Sequence, residues 1–300
     1  MAVRVAFRDM AESAWARRWD NLCKSWYKFS RNWLSVAGLA MVLIIVFLAI
    51  FAPYVTPYPQ HAGKFVDFKN ANTPPNLKHL MGTDVFGRDI LTRAIFAFRN
   101  ALMMSIGVLA VSVPLGALTG LLGGYYQGTW LETLIMRLTD VFISIPPLIL
   151  ALAVASVLKP TLMNSMMAVT VSWWPWYTRL TYGLASSLRN EYYVQAAELG
   201  GASKLHILFR EILPNCASSI FTKMALDVGW VILVGASLSF VGLGEQPPNP
   251  ALGTMVADGV QYMPAQWWIA VFPALTIMVV VLGFNLFGDG IRDMLAPEEV

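Results

Sequence analysis

Few side chains in this 300-residue sequence are equipped for chemistry, and the charges that draw attention lie inside apolar stretches. Arg137 and Asp140 stand three residues apart, and Lys223 and Asp227 four apart. On a helix those separations make neighbours, and each couple joins opposite signs. A charge at mid-bilayer costs about 2.5–3.5 kcal/mol on insertion scales, so each couple needs a reason. One reason is an ion pair near the cytoplasmic interface or facing a helix bundle; the other is a share in a solute pathway or its inner gate. Arg179 has no such neighbour in sequence, and its long stem suits snorkelling to the interface. Ser144 with Pro146-Pro147, and Trp173 and Trp176 around Pro175, mark bends beside the same candidate path. Pro114 and Pro273 also interrupt apolar helices, and each proline frees backbone groups and favours a kink. Carboxylates spaced for a proton relay are missing, which argues against a proton-driven carrier.

Other chemistries find little footing. His61, His79 and His206 are scattered without metal-ligand spacing, so no metal site is expected. Cys23 and Cys216 both fall on segments expected in the cytoplasm, where thiols stay reduced. The only Gly-Lys, Gly63-Lys64, is followed by Phe65, so no phosphate-binding G-x-x-x-x-G-K-[ST] loop exists. G-x-S-x-G and H-E-x-x-H are absent too. No catalytic residue or bound cofactor is expected, and any ATP used in the process would be hydrolysed by another chain.

The totals point to a bilayer. At 57% hydrophobic and 13% charged residues, the composition is not that of a water-soluble domain. Apolar runs at residues 33–51, 101–124, 132–158, 162–186, 217–241 and 266–288 predict six transmembrane helices, hence an all-α polytopic membrane protein. Ahead of them, residues 1–31 carry seven Lys/Arg against three Asp/Glu. That bias places the N-terminus in the cytoplasm and gives no support to nucleic-acid binding. Trp15, Trp19, Leu22, Trp26, Phe29 and Trp33 form one helical stripe with basic residues around it. Such a helix either lies in the headgroup region or packs on the protein's own cytoplasmic face. A cleaved signal peptide is not expected, because the charged leader is long and partly acidic and no A-x-A site follows.

The expected organisation is therefore a cytoplasmic amphipathic segment (1–32), a first transmembrane helix (33–53), an external segment (54–99), a five-helix core (100–290) and a cytoplasmic tail (291–300). By parity, six spans return the C-terminus to the cytoplasm and expose the polar loop 189–215 there, with Arg189, Lys204 and Arg210. Glycines at 116, 120, 123 and 124 suit close helix contact.

Three polar segments stand out. In the loop, Tyr193, Ala196 and Ala197 share a helical face, Gly200 and Gly201 supply a corner before Ala202, and Leu205, Leu208, Phe209 and Ile212 line a second turn that Pro214 stops. Small residues on a short bent helix allow close approach to another protein. In the external segment, Leu80-Met81-Gly82-Thr83-Asp84-Val85-Phe86-Gly87-Arg88-Asp89 offers capping groups, a tight turn at Gly87, and Asp84, Arg88 and Asp89 that could pair. Before the last helix, Leu238-Ser239-Phe240-Val241-Gly242-Leu243-Gly244-Glu245-Gln246-Pro247-Pro248-Asn249-Pro250 ends a helix on glycines and stiffens into a proline-rich loop.

Ala196-Ala197, Gly201 and Leu213-Pro214 at these spacings resemble the EAA loop of inner-membrane permeases of ABC importers. Gln195 stands where glutamate is usual and Glu211 where isoleucine is usual. The external segment, continued through Thr92-Arg93, resembles the L-G-T-D-x-x-G-R-D-x-x-S-R signature of the dipeptide, oligopeptide and nickel branch, with Met81 for the usual leucine and Thr92 for the usual serine. The last loop resembles its L-S-F-L-G-L-G-x-x-P-P-x-P-x-W-G-x-M signature, with Val241 for a leucine and Leu252 where tryptophan is common. The chain is thus identified as a C-type permease subunit of that branch, with the type I importer fold. The resemblance implies a second, B-type permease, two cytoplasmic ATPases that bind ATP and Mg²⁺, and an extracytoplasmic substrate-binding protein. It further implies that Tyr193, Gln195, Ala196, Ala197, Gly200, Gly201, Ala202, Leu213 and Pro214 form the coupling helix and its flanks. Asp84, Arg88, Asp89, Gly244, Pro247 and Pro248 become candidates for contact with the binding protein.

Overall fold

A computed structural model describes Trp19 and residues 23–295. Helix α1 (Trp33–Val55) starts where the Asn32 side chain accepts the Leu34 backbone N–H, the usual office of an N-cap asparagine. Its regular dihedrals fail at Phe51, two residues before Pro53. Ahead of it, residues 23–31 are helical. Phe29 is buried and meets the Phe287 ring edge-on at 6.3 Å, whereas Trp19, Trp26 and Trp33 are exposed. The stripe therefore divides: one aromatic packs on the protein and three face outward. Trp15 and Leu22 lie outside the described residues, as does the end of the tail beyond 295.

Helix α2 (Ile90–Tyr125) is 36 residues long and takes in residues 90–99, which the sequence assigned to the external segment. The polar Arg99-Asn100 step does not end it, because both side chains find external carbonyls: Arg99 at Ala49 and Ile50, Asn100 at Pro250. Asp89 caps its start by accepting the Thr92 N–H at 2.8 Å. Toward its C-terminal end, Gly116, Gly120 and Gly124 press against α5 (Leu162–Leu188). A Cβ on Gly116 would lie 2.5 Å from the Trp174 carbonyl oxygen, so only glycine permits this approach. Thr119 and Thr178 join hydroxyls across the same seam at 2.8 Å. Gly123 faces the Tyr182 ring at the margin of the seam.

The third expected span is not one helix. α3 (Trp130–Ile143) and α4 (Pro147–Ser156) meet at 88°, broken at Ser144–Pro146. Pro146 takes an extended conformation that caps α4, and Pro147 occupies the first helical turn, where its missing N–H costs nothing. Pro114, Pro175 and Pro273, by contrast, lie within α2, α5 and α9 (Trp268–Leu295), which continue through them.

After α5 come the short α6 (Tyr192–Leu199) and the long α7 (Lys204–Phe240), which carries a π-helical stretch at Ile207–Ile212. The Leu213 N–H reaches back to Leu208, and Pro214 has no N–H to offer the following register. α8 (Leu252–Val260) and α9 complete the chain. Among the described residues, α1, α2, α7 and α9 are the four helices long and apolar enough to cross a membrane, or five spans if the bent α3–α4 pair counts as one. α5, expected as a sixth, has 27 residues and so spans about 40 Å, but it is too polar to qualify. Its Ser165, Ser172, Thr178 and Thr181 are buried, so it spends its polar groups inside the bundle instead of in lipid.

Among the described residues, the two larger of four apolar clusters hold the long helices together. One gathers Val108, Leu121, Val169, Tyr177, Val231 and Leu238 where α2, α5 and α7 meet. The other packs α1 on α2 and α9 through Ile45, Ala49, Phe98, Val280 and Phe284.

Candidate coupling and translocation sites

The loop between α5 and α7 is anchored by one residue. Val194 is fully buried in the cluster shared by α2, α5 and α7, while Ala196 and Gln195 are exposed and Ala197 half-buried. The inward face of α6 is therefore that of Val194 and Ala197, and Tyr193 and Ala196 do not share it. α6 ends in a Schellman turn. The Ala202 N–H reaches Ala197 O at 3.0 Å, the Gly201 N–H reaches Glu198 O at 3.0 Å, and Gly201 takes φ +80°. Gly200 closes the last helical bond, to Ala196.

The second turn divides likewise: Leu208 and Ile212 are buried, and Leu205 and Phe209 are exposed. They were expected on one side. The π-helical stretch at Ile207–Ile212 lies across this turn. Outward, the loop shows Tyr192, Leu199, Leu205 and Phe209, a bare apolar rim around Ala196. Its underside is tied down by Tyr125, whose hydroxyl donates to Glu198 at 3.2 Å and whose ring lies under Arg189 at 5.3 Å. The Gln195 amide donates to Asn190 O at 3.0 Å. Asn215 bridges Tyr193 Oη and Glu211 O, and burial raises the Tyr193 phenol above its ordinary pKa. Leu213 is half-buried and Pro214 exposed.

The external motif folds on itself. Asp84 accepts the Phe86 and Arg88 N–H groups, each at 2.9 Å, and Arg88 Nε at 2.7 Å. Asp89 pairs instead with His79 Nδ1 at 2.9 Å, and its N–H donates to His61 Nδ1 at 2.9 Å. Gly87, at φ +74°, passes so close to Asp67 that no side chain fits. Arg88 and Asp89 are buried, so these groups brace the lobe and leave its surface to others. Burial lowers the His61 pKa, against the opposing pull of Asp89. Asp258, across a small cleft from Arg88 and Arg93, has its carboxyl pKa raised by burial. Arg93 donates to both His61 O and Pro248 O, joining the external motif to the proline-rich loop. In that loop Gly244 is buried against Ser239, Pro247 is exposed and Pro248 half-buried.

The charged couples part company. Asp140 pairs with Arg179 of α5, not with Arg137, which is exposed. Sequence separation suggested Arg137, but the packing of α3 on α5 turns Asp140 toward Arg179. Ser144 bonds its own turn at Val141 O. Lys223 and Asp227 do pair, at 3.1 Å, and Trp173 Nε1 donates to Asp227 Oδ2 at 3.0 Å. Trp173, Trp176, Lys223 and Asp227 line one open cavity of about 350 Å³, together with Pro147 and Trp230. Of the other candidates, Pro146 adjoins its wall, while Arg137, Asp140 and Ser144 do not line it. Trp230 was missed, although it follows Lys223 and Asp227 at i+7 and i+3 on the same helical face, a spacing that could have found it.

Comparison with known proteins agrees across the chain's length. A family model described as binding-protein-dependent transport system inner membrane component matches residues 112–299. A second, for the N-terminal transmembrane domain of oligopeptide transport permease C, matches residues 21–75. The di/tripeptide transport system permease protein DppC of Pseudomonas aeruginosa is 39% identical over 279 residues, covering 91% of each chain. The glutathione transport system permease protein GsiD of Pectobacterium atrosepticum is 38% identical, covering 91% of this chain and 90% of that protein. Among solved structures, the inward-facing MetNI methionine ABC transporter matches with TM-score 0.54 at 16% identity, over 69% of this chain and 98% of that chain, which speaks to fold alone.

Proposed function

The chain belongs to the binding-protein-dependent transport system inner membrane components, and from that premise we propose that it is the C-type permease subunit of an ATP-driven importer of di- or oligopeptides. Its partners in this reading are a B-type permease, two cytoplasmic ATPases that hold ATP and Mg²⁺, and an extracytoplasmic substrate-binding protein. The chain itself hydrolyses nothing.

One observation carries the reading. α6 is fastened inward by Val194 and bare outward, and it leads through a two-residue glycine corner into α7, the helix bearing Lys223 and Asp227. A cytosolic protein that grips the outer rim of α6 therefore has a mechanical connection to the cavity. Approach of the ATPases would rock the bundle toward outward-open, and nucleotide hydrolysis would reset it. The energy comes from different contacts with the two ATPase states.

The cytoplasmic orientation belongs to the same proposal. Asn32, at the start of α1, bonds Asp293 near the end of α9, and Ser218 of α7 bonds Leu295 O. These contacts support both termini, the tail and loop 189–215 lying together on the cytoplasmic side, with residues 54–89 and the proline-rich loop outside. There the exposed surface around Pro247 and Pro248, braced from beneath by Asp84, Arg88, Asp89 and Gly244, is where a binding protein would dock.

The glutathione relative favours glutathione as a second cargo class; nickel chelates and oligosaccharides belong to the same type of permease. An ion-coupled carrier would need no ATPase. The deciding experiment replaces Ala196 with cysteine in the assembled complex and measures cross-linking to the ATPases alongside uptake. Cross-linking that is nucleotide-sensitive and blocks uptake is expected. A thiol reachable only from outside the cell, or ATP-independent uptake, would overturn the reading.

A further inference from the structure

Two cavities meet at the Lys223–Asp227 pair. The upper, of about 350 Å³, has tryptophan walls, and the lower, of about 520 Å³, is lined by hydroxyls such as Ser218 and Thr222 and carries a further cation, Arg292. Asp227 is the fixed member, with a side chain 8% exposed and held by the Trp173 indole N–H. Lys223 is the movable one, with a side chain 28% exposed on a flexible stem. No other charged side chain lines the upper cavity, so the pair leaves it without net charge.

We propose that this pair recognises the two free termini of a zwitterionic peptide, a reading that rests on the importer function above and specifies its substrate. The substrate's ammonium takes the place of Lys223 at Asp227, and the released Lys223 receives the substrate's carboxylate. One ammonium–carboxylate contact becomes two, and no charge is left unpaired. A lone cation or anion would strand one partner, which is the costly outcome. The spacing suits dipeptides: with a single 3.8 Å Cα step, their charged ends lie roughly 5–7 Å apart, within the swing of a lysine stem. Trp176 and Trp230 offer broad apolar walls to any side chain. Selection therefore falls on the termini, and the side chains pass unread.

The test uses the complete complex in nanodiscs without the binding protein, titrated with millimolar dialanine and followed by saturation-transfer NMR. The comparison compound is dialanine capped at both ends, as the N-acetyl methylamide. Transfer to dialanine is expected to exceed transfer to the capped form by about fivefold or more, and to fall as far in Asp227→Asn and Lys223→Met, since each loses a charge-assisted contact. Asp227→Glu should retain most of it, which a purely packing role for Asp227 would not demand. Equal transfer to both compounds, undiminished transfer in the variants, or no transfer at all would overturn the proposal. Should neither variant assemble, the two compounds on the unaltered complex still decide. ATP-driven peptide uptake by the unaltered complex with its binding protein is measured separately. Its absence would sink the importer reading, whereas full uptake by Asp227→Asn would sink only this one.

Discussion

Arg99 donates from Nε to the carbonyl of Ala49 at 2.7 Å, the oxygen that Pro53 leaves without its helical donor. Pro53 has no N–H, and the residue four before it is Ala49. A second helix thus repairs the ladder of the first where it bends toward the external lobe, and Arg99 Nη2 takes the adjoining Ile50 carbonyl at 3.1 Å. An open carbonyl at membrane depth is otherwise expensive.

Arg99→Met should therefore destabilise the α1–α2 contact by about 1–3 kcal/mol, the usual penalty for orphaning a partly buried acceptor. The readout is the thermal unfolding midpoint of the purified complex. Arg99→Lys should recover part of the loss, because one donor can still reach Ala49. An unchanged midpoint in Arg99→Met would mean that water or lipid headgroups serve the carbonyl equally well.

Asp140 and Arg179 should be coupled, and Arg137 should not. In a double-mutant cycle, contacting residues typically show roughly 0.5–3 kcal/mol of interaction. Both side chains here are nearly half exposed, so the lower end is expected. Removing Arg179 alone should harm assembly more than removing Arg179 and Asp140 together, while Arg137→Gln with Asp140→Asn should be additive. Coupling to Arg137 would contradict the observed packing.

Gly201 at φ +80° has open space around it, so a side chain there meets backbone strain and no clash. Gly201→Val should cost about 1–2 kcal/mol in the corner and shift α6 on its Val194 anchor. Uptake per ATP hydrolysed is expected to fall severalfold with the protein still inserted. Normal coupling in this variant would count heavily against the corner as the transmitting element.

The external lobe should weaken in mild acid. His61 is buried, accepts the Asp89 N–H as a neutral ring, and is held below its usual pKa by burial. The unfolded chain binds the proton more readily, so this contribution is present above about pH 6.5 and is lost as pH falls toward the lowered folded-state value. Limited proteolysis within residues 56–89 should quicken between about pH 7 and 5, and His61→Gln should flatten the profile. His79, Asp84 and Asp89 surround the ring, and a flat profile in the unaltered protein would mean that they compensate.

Much of this was legible in the chain. Long apolar runs predict spans because burial in lipid depends on local composition; α1 and α9 begin within two residues of their runs, whereas α2 and α7 extend N-terminally beyond theirs. The alanine–glycine corner was legible for a similar reason: a left-handed turn wants glycine wherever it occurs. The 88° break at Ser144–Pro146 was foreshadowed by its prolines, but Pro114, Pro175 and Pro273 have the same chemistry and interrupt nothing.

Partner choice was decided elsewhere. Arg137 and Arg179 are equally suited to Asp140 by charge, and only the packing of α3 on α5 selects Arg179. Val194, not Tyr193, anchors α6, because the cluster shared by α2, α5 and α7 determines which face turns inward. Trp173 reaches Asp227 across 54 positions, and Arg93 reaches Pro248 across 155. The sequence by itself determined which stretches are apolar, where the glycine corner turns and what charges the chain carries, since those depend on neighbours a few residues away. Only the tertiary structure decided which charges meet and which ring faces a cavity, because distant side chains are brought within 3 or 4 Å by how helices pack, and a linear pattern does not encode that geometry.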